Sequence, residues 1–341
     1  MAAIKQQAVV GGMMAGFGAV GLGLFKAPLD AARQYELAFT KFKTLNLGKE
    51  VNREADEFAR GARLLGISGK ELMETFSESV GLFGSFEEAR KLAPMIAELN
   101  KANSVIFQGK MGGLDEGAIR ALMKFIDRRG GTKDDATFVR NLDLAQRIVT
   151  GSGGFVKFGD LDKFSKYGGT AFRNLSDEGI MNMALLLQEQ GGQRAGMSLM
   201  SLYQNLVAGR TPKKAMAMLQ ELGLGKLAMQ EHGTVGGKPL KFMVMTDIKD
   251  SALLRENPAE WMRSVLLPTL TQHGITNQSD ILKSVNDLIS NRTASDQASI
   301  MTTQLMQLLR DANLARNAMG YEQTLQTWRN DPNATYADLH A

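Results

Sequence analysis

The chain has 341 residues, 44% hydrophobic and 22% charged, which describes a folded chain of about two domains and excludes a disordered one. Its net charge of +4 is spread through mixed-sign segments, as where Arg53 and Arg60 flank Glu54, Asp56 and Glu57. No sequence-specific nucleic-acid partner is therefore expected, and the lack of cysteine rules out disulfide scaffolds, thiolate metal sites and cysteine nucleophiles.

The first element in chain order is an apolar segment. Between Lys5 and Lys26 lie twenty uncharged residues, six of them glycine. As a helix this run spans ~30 Å, the thickness of a bilayer's hydrocarbon core. Gly12 and Gly16 form a GxxxG pair, and Ala15, Ala19 and Gly23 continue a stripe of small residues that lets helix backbones approach. In water the same glycines weaken a helix by ~1 kcal/mol each. Three fates are open: insertion into a membrane at some stage, packing as an apolar arm on another protein, or removal as a signal peptide. Only Lys5 precedes the segment as a charge, and Phe25-Lys26-Ala27-Pro28 is a poor cleavage site, which argues against the last. We read it as a conditional membrane segment whose membrane or oligomer contacts are Gly12, Ala15, Gly16, Phe17, Ala19, Leu22, Gly23 and Leu24.

Helices separated by glycine follow. Pro28 favours a first turn for a helix from Ala27 to about Leu45. Glu50–Leu65 is amphipathic. Ser68 with Glu71 and Ser85 with Glu88 are capping boxes opening helices that end near Phe83 and Gln108, the second kinked at Pro94. Further helices are expected over Asp115–Arg129, Asp134–Val149, Asp177–Gln190, Arg194–Ala208, Lys213–Leu222, Ala259–Gln272, Asp280–Ser290 and Ser295–Met319. Thr211-Pro212 and Asn257-Pro258 read as a cap residue followed by proline. Gly233–Met245 alternates like a hairpin around Gly236-Gly237. The fold class is all-α: Gly-interrupted helical bundles with an N-terminal apolar helix and at most one small β-hairpin. The twenty methionines, as in Met181-Asn182-Met183 and Met216-Ala217-Met218, read first as adaptable core filler.

Glycine-rich joints at Thr150–Gly154 and across 223–250 set the expected organisation. It comprises an apolar segment (1–26), an N-terminal bundle (27–150), a middle helical region (151–222), a loop or hairpin (223–250), a C-terminal helical region (251–330) and a tail (331–341). No fixed-period repeat supports a solenoid.

Tests for chemistry fail one after another. A P-loop needs a hydroxyl after its Gly-Lys, whereas Gly225-Lys226 precedes Leu227 and Gly237-Lys238 precedes Pro239. His232, His273 and His340 match no metal-ligand spacing. Gly196-Met197-Ser198 lacks the second glycine of a nucleophile elbow. Asp160-Leu161-Asp162 begins like a calcium loop, but Phe164, Lys166 and Tyr167 supply no ligands. Gly225–Gln230 faintly echoes a stretch of lytic transglycosylases, without the upstream Glu-Ser or downstream Ala-Tyr-Asn. No enzymatic activity, catalytic residue, cofactor or metal is expected.

Read together, the polar landmarks resemble those of the tape measure proteins of long-tailed bacteriophages and prophages. The apolar segment runs into Pro28 and then Tyr35-Glu-Leu-Ala-Phe-Thr-Lys-Phe-Lys-Thr-Leu45. In the same order come Leu64–Leu72, Thr150–Gly154, Tyr203–Thr211 with Tyr203, Asn205 and Arg210, Asn257–Trp261 with Pro258 and Trp261, and Asn291–Ser295 with Asn291 and Arg292. The resemblance covers about Ala8 to Met319 and is that of a short or partial member. It implies a structural role: several copies inside the tail tube, around which tube subunits polymerise, so that ruler length sets tail length. The implied partners are further copies of the chain, the tail-tube protein, tail assembly chaperones, tail-tip proteins and, on ejection, the host membrane. The implied locations are the host cytoplasm during assembly, the tail lumen of the virion, and the host envelope on ejection. Family members are usually longer, with extended coiled-coil stretches this chain lacks. Two other classes compete: a membrane-active pore former or secreted helical protein, and a peptidoglycan-degrading enzyme with an unrecognised site. A helical scaffold that oligomerises through its N-terminal arm is a fourth reading.

Overall fold

The computed structural model describes residues 28–107, 116–332 and 334. The apolar segment lies outside the described residues, and with it the expected contacts from Gly12 to Leu24. Among the described residues no helix is long and apolar enough to cross a membrane. The described chain is built of helices plus one two-stranded antiparallel sheet, and it divides into two compact units, residues up to 101 with those from 331 on, and 102–330. Both glycine-rich stretches expected as joints, Thr150–Gly154 and 223–250, lie in the second unit.

The first unit holds α1 (28–43), α2 (Lys49–Gly61), α3 (Gly69–Phe83) and most of α4 (Phe86–Ile106), which contains Pro94. Helical spacing puts Tyr35, Ala38 and Phe42 on one face of α1, where they join Ala55 and Ala59 of α2, Phe76 and Val80 of α3, and Phe86 and Ala89 of α4. Phe76 is the hub: its ring meets Phe58 and Phe86 edge-on at 5.6 and 5.5 Å between centroids. The expected capping box opens α3, with Ser68 Oγ accepting from the Glu71 amide at 3.2 Å and the Glu71 carboxylate accepting from the Ser68 amide at 2.7 Å. The helix stops at Gly84, whose φ of 73° is left-handed. Ser85 Oγ likewise accepts from the Glu88 amide at the start of α4.

The second unit runs α5 (Glu116–Arg128), α6 (Asp135–Gly151), α7 (Phe158–Asn174), α8 (Asp177–Asn182), α9 (Ala184–Leu206) and α10 (Lys213–Glu221). After them come β1 (Gly225–Val235), β2 (Lys238–Ile248), α11 (Ser251–Glu256), α12 (Pro258–Trp261), α13 (Leu267–Gln272), α14 (Gln278–Leu288), α15 (Arg292–Thr303), α16 (Leu305–Asn317) and α17 (Tyr321–Arg329). Its most extensive helix pair among the described residues is α7 with α9, and α5, α15 and α16 pack around that pair. Phe164 and Phe172 of α7 and Phe125 of α5 form its aromatic centre, with edge-on contacts at 5.5 and 5.7 Å.

Close approach in the α7–α9 pair depends on glycine. A Cβ on Gly192 would stand 1.9 Å from the Asp160 carbonyl oxygen, and one on Gly196 would stand 2.6 Å from that of Phe164. Residues 160 and 164 thus face 192 and 196, one turn after another, backbone against backbone. Gly192 and Gly196 are themselves a GxxxG pair, here buried in the α7–α9 seam.

Several expectations are corrected. Helices α7, α11 and α17 lie in regions expected to be helical, at stretches for which no individual helix was named. Ser295–Met319 is not one helix, since Gln304 leaves helical geometry (φ −112°, ψ 29°) between α15 and α16. Helix α10 begins at Pro212 rather than at a Thr211 cap, because the Thr211 hydroxyl donates instead to the Asn205 carbonyl. The expected helix Ala259–Gln272 is present but widens into a π-turn at Met262–Leu266, where the Leu267 amide donates to the Met262 carbonyl. Pro268 follows at once; a proline lacks the amide and crowds the carbonyl four residues back, and the wider turn makes room for it.

Candidate interaction site

The hairpin is longer than the sequence indicated, with its base packed on the helices and its outer part exposed. Gly236 and Gly237 have φ of 58° and 75°, the positive pair a tight two-residue turn needs. Between bulges at Lys226/Leu227 and Glu231/Thr234 lies a regular stretch, Leu227–Glu231 against Lys241–Met245. Because side chains alternate, one face carries Leu227, Met229 and Glu231 beside Met245, Met243 and Lys241, and the other carries Ala228 and Gln230 beside Val244 and Phe242. Met229, Phe242 and Met243 are 57%, 49% and 51% exposed. The Lys241 ammonium lies 3.0 Å from the Glu231 carboxylate and closes the methionine face toward the tip.

The base of this ribbon is fixed firmly. Leu224 and Ile248 are buried, and the Lys249 amide donates to the Leu224 carbonyl at 2.9 Å. Trp261, buried on α12, donates its indole N–H to the Lys249 carbonyl at 2.8 Å. Beside the base is a cleft of about 150 Å³ lined by Leu206, Val207, Asp247 and Arg255 among others. Arg255 donates to the Ser251 carbonyl across one turn of α11.

The landmark residues are placed as follows. Tyr203 and Pro258 line one small hollow next to that cleft, and Trp261 holds the ribbon base. Asn205 is buried with its Oδ1 unpartnered among the described residues, while its carbonyl accepts from Thr211. Arg210 is exposed, and its amide donates to the Gln204 carbonyl. Asn291 caps α15 by accepting from the Thr293 and Ala294 amides, and Arg292 is exposed in the first turn. Asn291 and Arg292 line neither cavity. Met183 and Met216 are buried, as core filler should be.

Asn257 does double duty, since its Oδ1 accepts from the Glu260 amide and from Asn182 Nδ2, at 3.2 and 3.0 Å. Replacing Asn257 with alanine removes the cap and orphans a buried amide. It is expected to cost about 2 kcal/mol, read as a shift in the urea unfolding midpoint.

In the first unit the best polar cluster joins Tyr35, Asp56, Arg60 and Glu36. Tyr35 Oη donates to the Asp56 carboxylate at 2.7 Å, and the Arg60 guanidinium covers the Tyr35 ring at 4.1 Å while pairing with Asp56 and Glu36. Burial and the adjoining Asp56 carboxylate push the Tyr35 phenol above its usual range. Burial raises the Asp56 carboxyl, but hydrogen bonds from Tyr35 and Arg60 outweigh it and hold the group below its usual value. The result is a protonated phenol and a satisfied carboxylate, a clasp between α1 and α2 and no activated nucleophile. Among the described residues no group of three His, Asp or Glu side chains is placed to hold a metal ion.

Comparison with protein-family profiles, with curated proteins and with solved structures gives no match. The hairpin was expected over Gly233–Met245, and the rest of its β1 half, from Gly225, was missed because Ala228 and Gly233 interrupt the pattern. The usable signal was the alternation of Leu240, Phe242 and Val244 with Lys241, Met243 and Met245.

Proposed function

We propose that this chain is a structural, non-enzymatic component of a bacteriophage tail, of the tape measure class. It assembles in several copies with the tail-tube protein, is kept soluble by tail assembly chaperones until then, meets tail-tip proteins, and engages the host membrane at ejection. The observation that carries the reading is the charge-free run Gln6–Phe25 leading into a helical body whose landmarks follow in family order. The use of Asn257, Trp261 and Asn291 as caps and core anchors is compatible with an architectural role.

The test is the composition and length of purified tails. The chain is expected in the tail by immunogold labelling. An internal in-frame deletion in the helical body is expected to shorten tails in proportion to the residues removed. Tails of unchanged length would remove the ruler function, and absence of the chain from tails would overturn the whole reading. The uncharged run also favours a second reading, a membrane-active helical protein outside any particle. Such a protein would release dye from liposomes and be missing from tails.

A further inference from the structure

We propose that the hollow where α1, α2 and α3 meet in the first unit binds a single-chain amphiphile with an anionic head, a carboxylate or a phosphate. Helix α2 stops at Gly61, and the chain crosses to α3 through residues 62–68. Within that crossing the Ile67 amide donates to the Leu64 carbonyl at 3.1 Å, and Gly66 has a φ of 69°, a left-handed value that suits glycine. The turn leaves Leu64 and Leu65 half-buried. With Tyr35, Arg60, Arg63 and Ile67 they line a hollow of about 550 Å³, well inside the roughly 300–1,000 Å³ of small-molecule sites. Its floor is closely packed: a Cβ on Gly69 would stand 2.9 Å from the Ala59 carbonyl oxygen and 3.3 Å from the Tyr35 ring. The three helices are thus already seated, and the hollow is preformed.

The lining carries charge of one sign. Two arginines and no carboxylate line the hollow among the described residues, and the other walls are aliphatic side chains, Gly69 and the Tyr35 ring. Arg60 is already engaged, pairing with Asp56 and Glu36 and covering Tyr35. Arg63 is exposed and has no hydrogen-bond or ion-pair partner among the described residues. Its planar fork is matched by the paired oxygens of a carboxylate or phosphate. Next to it in the chain, Leu64 and Leu65 offer apolar wall that an alkyl chain covers and water does not satisfy. An uncharged apolar guest would leave Arg63 without a counter-ion, and a cationic one would meet two guanidinium groups. A small anion would leave the leucines wet. Charge and wall together therefore select the anionic amphiphile. A protein partner fits less well, since a stable protein interface covers about 800 Å² on each side. The assignment goes beyond the tail reading and does not rest on it.

The experiment is isothermal titration calorimetry of the full chain below the micelle concentration, with dodecanoate, dodecanol, dodecylammonium and acetate as probes. Dodecanoate is expected to bind one to one and about tenfold more tightly than any of the other three. Arg63→Glu, at an exposed position that folding tolerates, is expected to weaken dodecanoate about tenfold and to abolish its advantage over dodecylammonium. Leu65→Gln keeps the cation and removes apolar wall, and is expected to weaken dodecanoate several-fold. Arg90→Glu makes the same charge change at an exposed site on α4 outside the hollow, and is expected to leave binding as in the parent. Equal affinity for the three long-chain probes, binding unchanged by Arg63→Glu or by Leu65→Gln, or an equal loss from Arg90→Glu would overturn the assignment. So would Arg63-dependent binding to phosphatidylglycerol vesicles without binding of soluble dodecanoate, which would make this surface a membrane contact.

Discussion

Gly192→Ala is expected to lower the melting temperature by about 10 °C, the reverse of what helix propensity alone would give. In an exposed helix, alanine is favoured over glycine by up to ~1 kcal/mol. At Gly192 the added methyl would stand 1.9 Å from the Asp160 carbonyl oxygen and 2.6 Å from its carbon, and those atoms are backbone, unable to swing aside. Restoring an ordinary contact means parting α7 from α9 by more than an ångström. That loosens the seam at Gly196 and the packing of Leu199 against Gly168 as well. Overpacking of this kind costs about 3 kcal/mol, and each kcal/mol moves the midpoint of a domain this size by about 2–4 °C. Gly159 is the control: it lies on α7 with nothing within 4 Å of its would-be Cβ, so Gly159→Ala is expected to be neutral or mildly stabilising. Calorimetry of both variants decides the matter, and a Gly192→Ala protein as stable as the parent would mean the two helices are not seated this closely.

Arg129→Met is expected to cost about 3–5 kcal/mol, the largest effect of any polar substitution proposed here. The guanidinium follows the end of α5 and is nearly enclosed, with 7% of its side chain exposed. It donates to the Asn141 side chain on α6, the Leu175 carbonyl beyond α7 and the Asp177 carboxylate at the start of α8, and it approaches the Phe172 ring. Burial drags its pKa down from the usual arginine value, and Asp177 opposes that shift. Methionine keeps much of the stem but leaves the Asn141 and Leu175 oxygens without that donor and Asp177 with Arg140 alone, 3.5 Å away, which is why removing one partner of a buried pair costs more than the pair contributes. Lysine offers a point charge in place of a fork and is expected to recover only part of the loss. The measurement is the urea midpoint of both variants. A shift for Arg129→Met below that of an ordinary surface substitution, within about 0.5 kcal/mol, would show the four elements to be held by apolar packing alone.

Local grammar was legible in the sequence wherever one residue decides the outcome. Ser68 with Glu71, the Asp134 cap of α6 and the Gly236-Gly237 turn were all readable, because each satisfies a backbone need within a few residues. Helix α7 was not, although Phe158, Leu161, Ser165, Gly168 and Phe172 follow helical spacing. Its glycines look like a linker when a chain is scanned for hydrophobicity, and only the structure shows α7 seated against Gly192 and Gly196 of the partner helix. The expected gap between Asp177–Gln190 and Arg194–Ala208 is a bend at Gly191 inside one packed element, α9. At the candidate site, Trp261 was readable as a buried anchor, yet its acceptor on Lys249 was not. The exposed edge of β2 was illegible for a deeper reason. Whether a strand is covered depends on what the rest of the fold leaves bare, and no local pattern records that.

The two bends in the paired helices set the reach of the second unit. Gly169 in α7 and Gly191 in α9 hold φ of 51° and 71°, values that any residue with a side chain resists. An unbroken α9 would be a spar of about 35 Å. Each glycine acts as a knuckle, folding what would be a long strut into two short ones while the rungs on either side stay intact. Filling either knuckle with an L-residue biases the backbone toward straightness, so the compactness of this helix pair is written in two hydrogen atoms where side chains would otherwise begin.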